Sequence, residues 1–368
     1  MRFSCEQNTL VKALNIVSKA VTSRTTIPIL KGILLTVKDG KLTMSASDLE
    51  IGIEKTIEVD DAENGSVVVQ AKLFSDIIRK LPNSTVEVTE DNNNINIRCS
   101  KTNFDIVGNE ADEFPKIMIE TTSEDILFDK EIFCDMVNKV SFSASADESR
   151  GVLTGILIEM KEDSLNMVSL DGFRMAITRE AISNENEKNI LISSKILSEV
   201  SKIITDENPD GDVIFRYNNK KALFVVGNTK VVVSLLDGEF VKYRDILPKD
   251  QSITVVLNRQ DMLEAIERAS LLAKVGKNNL VRLTINDEFM EITSKSEEGN
   301  DTEEVMVSKD GNDILIGFNS KYLIDALKVI DDSEIKMILN TPVSPCLIKP
   351  VSGDSYCYLI LPVRINMN

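Results

Sequence analysis

The 368-residue chain has no histidine and no tryptophan, and aromatic residues make up only 5% of it. Without histidine there can be no Ser-His-Asp triad, no Cys-His pair, no imidazole-ligated zinc and no imidazole proton shuttle. Cysteine is sparse too. Cys5, Cys99, Cys134, Cys346 and Cys357 are odd in number and never closer than 11 positions, which excludes a CxxC metal or redox motif. Such scattered thiols fit small core residues in a reducing compartment. The opening Met-Arg-Phe-Ser-Cys-Glu-Gln has no apolar signal-peptide core. No apolar run approaches the roughly 18–20 residues of a membrane span. The expectation is a cytoplasmic protein with no membrane partner. Basic residues are in deficit, 42 against 59 acidic, and the resulting net charge of −17 argues against adhesion to nucleic acid over the whole surface.

What is present is a folded composition, 42% hydrophobic, and a length that allows two or three domains at roughly 100–200 residues each. It also contains an internal repeat. RFSCEQNTLVKALNIVSKA from Arg2, ILFDKEIFCDMVNKVSFSA from Ile126 and ITVVLNRQDMLEAIERASLLA from Ile253 share one pattern, a short alternating strand and then an amphipathic helix. VVVQAKLFSDIIRKL, ILISSKILSEVSKII and ILIGFNSKYLIDALKVI form a second set, with Lys72, Lys195 and Lys321 near each helix start. Asp48 of SASDLEI stands 123 positions before Asp171 of VSLDGFR. Three copies at this period account for the whole chain.

Each copy has two helices and several strands in which Val, Ile and Thr alternate with polar residues. Turn signals such as Asp39-Gly40 and Asn64-Gly65 separate the strands. This predicts an α+β protein of three repeated domains, two helices per domain packed on antiparallel sheets. Pro and charge interrupt the alternation between Phe114 and Asp125, and again at Leu247-Pro248-Lys249-Asp250. The expected domains are 1–121, 122–249 and 250–368.

No catalytic constellation assembles, and no cofactor or metal is expected. Asp206-Glu-Asn-Pro-Asp-Gly211 begins like a calcium loop, but Tyr217 stands where the bidentate Glu is needed. Gly276-Lys277 lacks the rest of a phosphate loop. Asp60-Asp61 and Asp331-Asp332 read as solvated turns rather than a two-metal site. The Asn83-Ser-Thr85 sequon would not meet the glycosylation enzyme in the cytosol.

The charge is segregated. The predicted helices, residues 8–20, 72–81, 131–144, 194–204, 261–274 and 321–329, carry a net +4, so the acidic surplus lies entirely on sheets and loops. Arg24 adds a cation in the polar loop Thr22-Ser-Arg-Thr-Thr26. By itself +4 over six helices can be chance. If three like units are arranged about an axis, however, equivalent helices share a face, and a basic face inside an acidic shell attracts a polyanion there alone.

Nine collinear stretches then resemble one family along the entire chain. They are MRFSCEQNTLVKAL, SRTTIPILKGILL, SDLEI, RGVLTGILIE, SLDGFRMA, LLDGEFVKYRDILP, GFNSKYLIDAL, TPVSPCLI and YLILPVRI. The family is that of the bacterial DNA sliding clamps, the beta subunits of DNA polymerase III. The resemblance implies a clamp fold in which two chains close head-to-tail into a ring around duplex DNA. Such a homodimer is a non-catalytic processivity factor of the DNA-directed DNA polymerase holoenzyme. It holds double-stranded DNA topologically and without sequence specificity. It would tether the replicative polymerase, the clamp loader and repair polymerases through short Leu/Phe-anchored motifs.

By resemblance, Arg24, Lys72 and Lys195 lie nearest the phosphates, although the two lysines could equally be ordinary surface residues at helix starts. The peptide-binding cleft would be walled by Leu153, Leu170, Gly172, Phe173, Arg174, Met175, Val241, Ile246, Tyr322, Val343 and Ser344. Leu359, Ile360, Leu361, Pro362, Val363 and Arg364 would complete it. A core strand is the alternative for that C-terminal segment, but Pro362 and Arg364 suit a rim better. The dimer seam would set Leu73, Ile77, Phe104 and Ile106 against Leu271 and Leu272, with the acidic run Glu297, Glu298, Asp301, Glu303 and Glu304 facing Lys101 or Lys72. Val241 replaces a frequent Pro, Asp245 stands where a basic residue is common, and Asn278 lies near a place often held by an aromatic. These departures bear on cleft selectivity. Two rivals stay open: a carboxylate-only, metal-dependent nuclease, and an acidic scaffold that never touches DNA.

Overall fold

The structure, a computed structural model, describes residues 1–22, 25–117, 124–182, 187–207, 211–250, 252–276 and 278–365. Six α-helices are described: α1 (Gln7–Val17), α2 (Ala71–Lys80), α3 (Lys130–Ser141), α4 (Ser194–Asp206), α5 (Arg259–Ala273) and α6 (Ser320–Lys328). They match the three repeated strand–helix patterns. The starts have local causes. Gln70, Asn258 and Asn319 turn side-chain oxygens onto the first free N–H groups of α2, α5 and α6. Residues 18–20, predicted as the end of the first helix, tighten instead into a 3-10 turn.

The residues divide into two compact units, Met1–Cys134 with Glu199–Leu235, and Asp135–Ser198 with Leu236–Asn368. The divisions fall inside α3 and α4, so the second repeat contributes to both units. The first unit holds a five-stranded sheet ending in the edge strand Thr102–Val107, and an eight-stranded sheet. In the eight-stranded sheet, Thr229–Ser234 of the second repeat pairs antiparallel with Ile51–Glu58 of the first, Val231 opposite Ile53. The second unit is built on a twelve-stranded sheet, where Arg174–Ala181 pairs with Tyr356–Ile360, Ile177 opposite Cys357. Repeats are thus joined edge to edge by main-chain hydrogen bonds, and each junction removes two free sheet edges.

In the first unit, α1 buries Leu10, Ala13, Leu14 and Val17, and buried Gln7 Nε2 donates to the Ile78 carbonyl of α2 at 2.8 Å. Asp60–Glu63 forms an exposed edge strand, not the expected turn, with Asp61 accepting a hydrogen bond from Ser4 Oγ at 2.9 Å. In the second unit, Asp331 pairs with Lys139 at 3.0 Å and Asp332 accepts from the Tyr356 hydroxyl at 2.7 Å. Both acidic pairs serve as structural acceptors.

Candidate functional site

The second unit gathers most of the expected cleft residues around one turn. Asp171 Oδ1 accepts the Phe173 and Arg174 N–H groups at 2.9 and 3.1 Å, an Asx turn that needs a left-handed residue at Gly172, φ 91°. Asp48, 123 positions earlier, makes the same turn in the first unit, accepting from Glu50 and Ile51 at 3.0 and 2.8 Å around Leu49, φ 79°. The repeat therefore extends to individual hydrogen bonds. In the second unit the turn lifts Phe173 into solvent, 54% exposed, and the Phe173 carbonyl accepts from Leu361 N–H at 2.9 Å.

Strand pleating decides which residues reach the cleft. Leu170, Met175 and Leu359 lie in one buried cluster with Leu157, Val168 and Tyr243, against which half-buried Leu153 and Leu247 pack. This is an apolar floor. Val241, Ile246 and Val343 stand exposed around it, and Thr341 Oγ1 and Ser344 Oγ lie 2.7 Å apart, bracing the Val343 loop. Arg174 and Ile360 sit opposite each other one residue off the floor positions, so their side chains leave from the other face of the sheet. Ile360, expected in the cleft wall, is 1% exposed and belongs to the core.

The segment YLILPVRI thus divides. Tyr356–Ile360 is a fully buried strand, as the core alternative had it, whereas Leu361 to Arg364 is an irregular rim held by Val363 N–H to the Gly317 carbonyl at 2.8 Å.

Arg174 is a brace. Its Nε donates to Asp171 Oδ2 at 3.1 Å, Nη1 to Asp325 Oδ2 at 2.6 Å, and Nη2 to the Phe142 carbonyl at 2.7 Å. Its guanidinium lies 4.6 Å from the centre of the Tyr322 ring, which stacks on Phe173 with centroids 6.3 Å apart. One buried cation therefore sets the orientation of two aromatic rings at the cleft's edge.

The strap carrying Val241 and Ile246 starts where Leu236 N–H donates to the Leu191 carbonyl at 2.8 Å. It is tied down at Glu159, buried on strand Gly155–Met160. The carboxylate accepts from Asn166 Nδ2 at 3.0 Å, the Tyr243 hydroxyl at 2.9 Å and both Arg244 Nη groups, Nη1 at 2.7 Å. Burial alone would raise the Glu159 pKa, but the hydrogen bonds from Arg244 and Tyr243 prevail and hold it below the ordinary carboxylate value. Burial, and then the bond to Glu159, push the Tyr243 phenol upward, so it stays a donor. None of this was expected from sequence. The available signal was one acid in GILIEM, a strand whose every residue is buried.

Arg24 lies outside the described residues. Lys72 and Lys195 are exposed at the starts of α2 and α4. Several exposed helical cations gather in the first unit. In the first unit α1 presents Lys12 beside Asn15, which accepts from Arg79 of α2 at 2.8 Å, and Lys80 is also exposed. Lys19, in the 3-10 turn after α1, is paired with Asp206 at 2.8 Å. In the second unit Lys139 is held by Asp135 and Asp331 at 2.6 and 3.0 Å, and Lys328 by Glu267 at 2.8 Å. The exposed face of α5 presents Asp261 and Glu264.

Among the expected seam residues, Leu73, Phe104 and Leu271 are exposed, while Ile106 and Leu272 are half-buried. Ile77, only 7% exposed, packs inside the first unit because α2 turns it inward with Phe74 and Ile78. Glu303 is engaged within its own chain by a two-pronged Arg268 contact at 2.8 and 2.7 Å, which lowers its pKa. Among the described residues, strand Gly299–Asp310 pairs with Ile253–Asn258 only through residues 307–310, leaving one side of its first half without a strand partner. Asn278 and Asn279 adopt left-handed φ of 64° and 49°, and the Asn279 carbonyl caps α6 through Ser320 N–H at 2.8 Å.

Residues 1–118, 128–242 and 244–364 match, in turn, the N-terminal, central and C-terminal domains of the DNA polymerase III beta subunit. The beta sliding clamp of Staphylococcus epidermidis is 34% identical over 376 residues, covering 99% of both chains. Among solved structures, a putative DNA polymerase III beta subunit from Eubacterium rectale superposes with TM-score 0.94 at 37% identity, covering 99% of this chain and 100% of that one. The Bacillus subtilis DNA polymerase sliding clamp gives TM-score 0.95 at 32% identity, covering 99% of each. With its tripled strand–helix plan, edge-joined sheets and apolar cleft, the chain belongs to the family of DNA polymerase III beta subunits, the bacterial beta sliding clamps.

Proposed function

We propose that the chain is the processivity factor of the replicative DNA polymerase: a non-catalytic homodimeric ring that encircles duplex DNA, slides along it and tethers partners through the cleft. The preformed floor of Leu170, Met175 and Leu359 beneath exposed Phe173, Val241, Ile246 and Val343 is the observation that supports the reading best. Apolar pockets with few polar groups suit a short peptide bearing Leu and Phe anchors. The replicative polymerase, clamp loader and repair polymerases are the partners for this site. The three domains are 1–121, 122–249 and 250–368.

Three such domains are too few to enclose a duplex, and two chains supply six. A topological tether needs only weak, replaceable phosphate contacts, for which Arg24, Lys72 and Lys195 are the candidates. The exposed Lys12 and Lys80 join Lys72 on the first unit's helices. For the seam, the edge strand Thr102–Val107 with Phe104 and Ile106, together with Leu73, suits the open first half of Gly299–Asp310 and the neighbouring Leu271 and Leu272. Two half-open strands can complete each other's hydrogen bonds.

The decisive experiment loads the protein with a clamp loader onto circular and onto linear DNA. Retention on circles with loss from open ends is expected; equal retention on both defeats the topological reading and favours the scaffold or nuclease rival.

A further inference from the structure

We infer that Glu159 is a positioning residue for the peptide cleft: by pinning Tyr243 and Arg244 it holds the strap that carries Val241 and Ile246, and so fixes the cleft's width without touching the peptide. The inference rests on the cleft reading above. Three observations carry it.

First, the strap packs on the buried cluster through Leu236, Phe240, Tyr243 and Leu247, while residues on either side of Tyr243 border a cavity. A cavity of about 600 Å³ is lined by strap residues Gly238 to Asp245 and by Leu157, Glu159, Asn189 and Leu191, and by none of the floor residues Leu170, Met175 or Leu359. A strap bordering a cavity on part of its length is positioned more loosely there unless something else holds it. Second, the holding group is polar and its bonds are directional. Four donors converge on one buried carboxylate, and Arg244 also stacks on the Tyr243 ring at 4.6 Å. Bonds to a buried, ionised acceptor are the strong ones and fix a geometry.

Third, the first unit holds the same strap without the pin. Glu113-Phe-Pro-Lys-Ile117 stands 126 positions before Glu239-Phe-Val-Lys-Tyr243, so Ile117 is the counterpart of Tyr243. The counterpart of Glu159 is Thr36, 123 positions earlier, which has no carboxylate. There Ile117 drops onto Gly52, so closely that a Cβ at Gly52 would lie 2.3 Å from Ile117 Cγ2. Ile117 is buried with Phe114, Val68 and Val232. In both units the strap side chain is buried, Ile117 against Gly52 and Tyr243 in the cluster with Leu170, Met175 and Leu359, but only the second unit ties it to a carboxylate.

The test uses the full chain, a fluorescein-labelled synthetic peptide carrying adjacent Leu and Phe, and three variants. Glu159→Gln keeps the shape, removes the charge and replaces one acceptor oxygen by a donor; the expected rise in peptide Kd is about tenfold. Tyr243→Phe, which keeps the Glu159–Arg244 pair, raises Kd about threefold. Both variants keep the wild-type far-UV circular dichroism, and Glu159→Gln also lowers the thermal midpoint because the carboxylate's bonds are lost. Val241→Trp supplies the only tryptophan in the chain, and its emission in the free protein shifts when Glu159→Gln is added. Peptide affinity within twofold of wild type in both variants, with no emission shift, overturns the pin. Should Glu159→Gln not fold, Tyr243→Phe alone decides. A wild-type chain that binds no peptide overturns the cleft reading instead, a failure distinct from that of the pin.

Discussion

The two places where sheet strands of different repeats pair can be compared position by position. In the first unit, around the Ile51–Glu58 and Thr229–Ser234 pair, the outer face carries Val68, Phe114, Ile117, Leu223 and Val232, all buried. In the second, around Arg174–Ala181 and Tyr356–Ile360, the same face carries Leu170, Met175 and Leu359 but leaves Phe173, Val241 and Ile246 exposed. The backbone turn is shared, Asp48 and Asp171 capping two successive N–H groups in each. The side chains differ: Gly52 where Met175 stands, Ile117 where Tyr243 stands, Ile51 where Arg174 stands. Both junctions have a buried apolar face, and the second adds polar braces, Arg174 on one side and Glu159 on the other. On the proposed reading, the same frame serves as a plain joint in one unit and as a peptide cleft in the other through the exchange of a few side chains.

The sharpest break of this comparison is Arg174→Ala. It leaves the Asp171 and Asp325 carboxylates, both largely buried, without their cation, at an expected cost of about 4 kcal/mol. The Phe173–Tyr322 stack should loosen as well. Thermal unfolding of the second unit and loss of peptide binding would record it, and a change under 1 kcal/mol would deny Arg174 its bracing role.

Next comes Gly52→Met, which places the second junction's residue in the first. With Ile117 Cγ2 only 2.3 Å from the new Cβ, overpacking of about 3 kcal/mol is expected, read as a lowered midpoint in denaturant.

A smaller effect follows from pH. The Glu159 pKa is depressed on folding, so its stabilisation is complete above the unfolded value of about 4.3 and is lost as pH falls through the lower folded value. The wild type should therefore lose more stability than Glu159→Gln between about pH 4.5 and pH 3. Parallel curves would show the pin contributes nothing to folding.

The smallest is Leu49→Gly. Leu49 holds φ 79° where Gly172 holds 91°, so glycine relieves left-handed strain but adds unfolded-state entropy. A net gain of about 0.5 kcal/mol is expected, visible as a slightly raised midpoint in differential scanning calorimetry.

Much of the frame was legible. Helix periodicity located all six described α-helices within a few residues, because an apolar stripe at 3.6 spacing depends only on local order. The repeat set the equivalence of Asp48 and Asp171 before any hydrogen bond was seen. The cleft was legible as a region but not side chain by side chain. Ile360 and Leu359 are neighbours in sequence, and only the register with Arg174 and Met175 shows which one faces the floor. Ile77 looked like a seam residue because the exposed and buried faces of α2 both contain aliphatics, Leu73 outward and Ile77 inward. The net +4 on the helices did not show which cations are neutralised, since Lys139 and Lys328 pair with acids, Asp331 and Glu267, far away in sequence.

The sequence by itself determined what short-range physics and counting can determine: three copies of a strand–helix plan, strands by alternation, helices by stripe, and no imidazole chemistry. Only the tertiary structure decided which repeat edges join, which aliphatics of the cleft segment turn to the floor, and that Glu159 and Arg174 act as braces. Those outcomes depend on contacts between residues far apart in the chain, Tyr243 and Glu159 at 84 positions and Arg174 and Asp325 at 151. Partners so distant meet only when the sheet register and the strap bring them together, and no local pattern encodes a meeting of that kind.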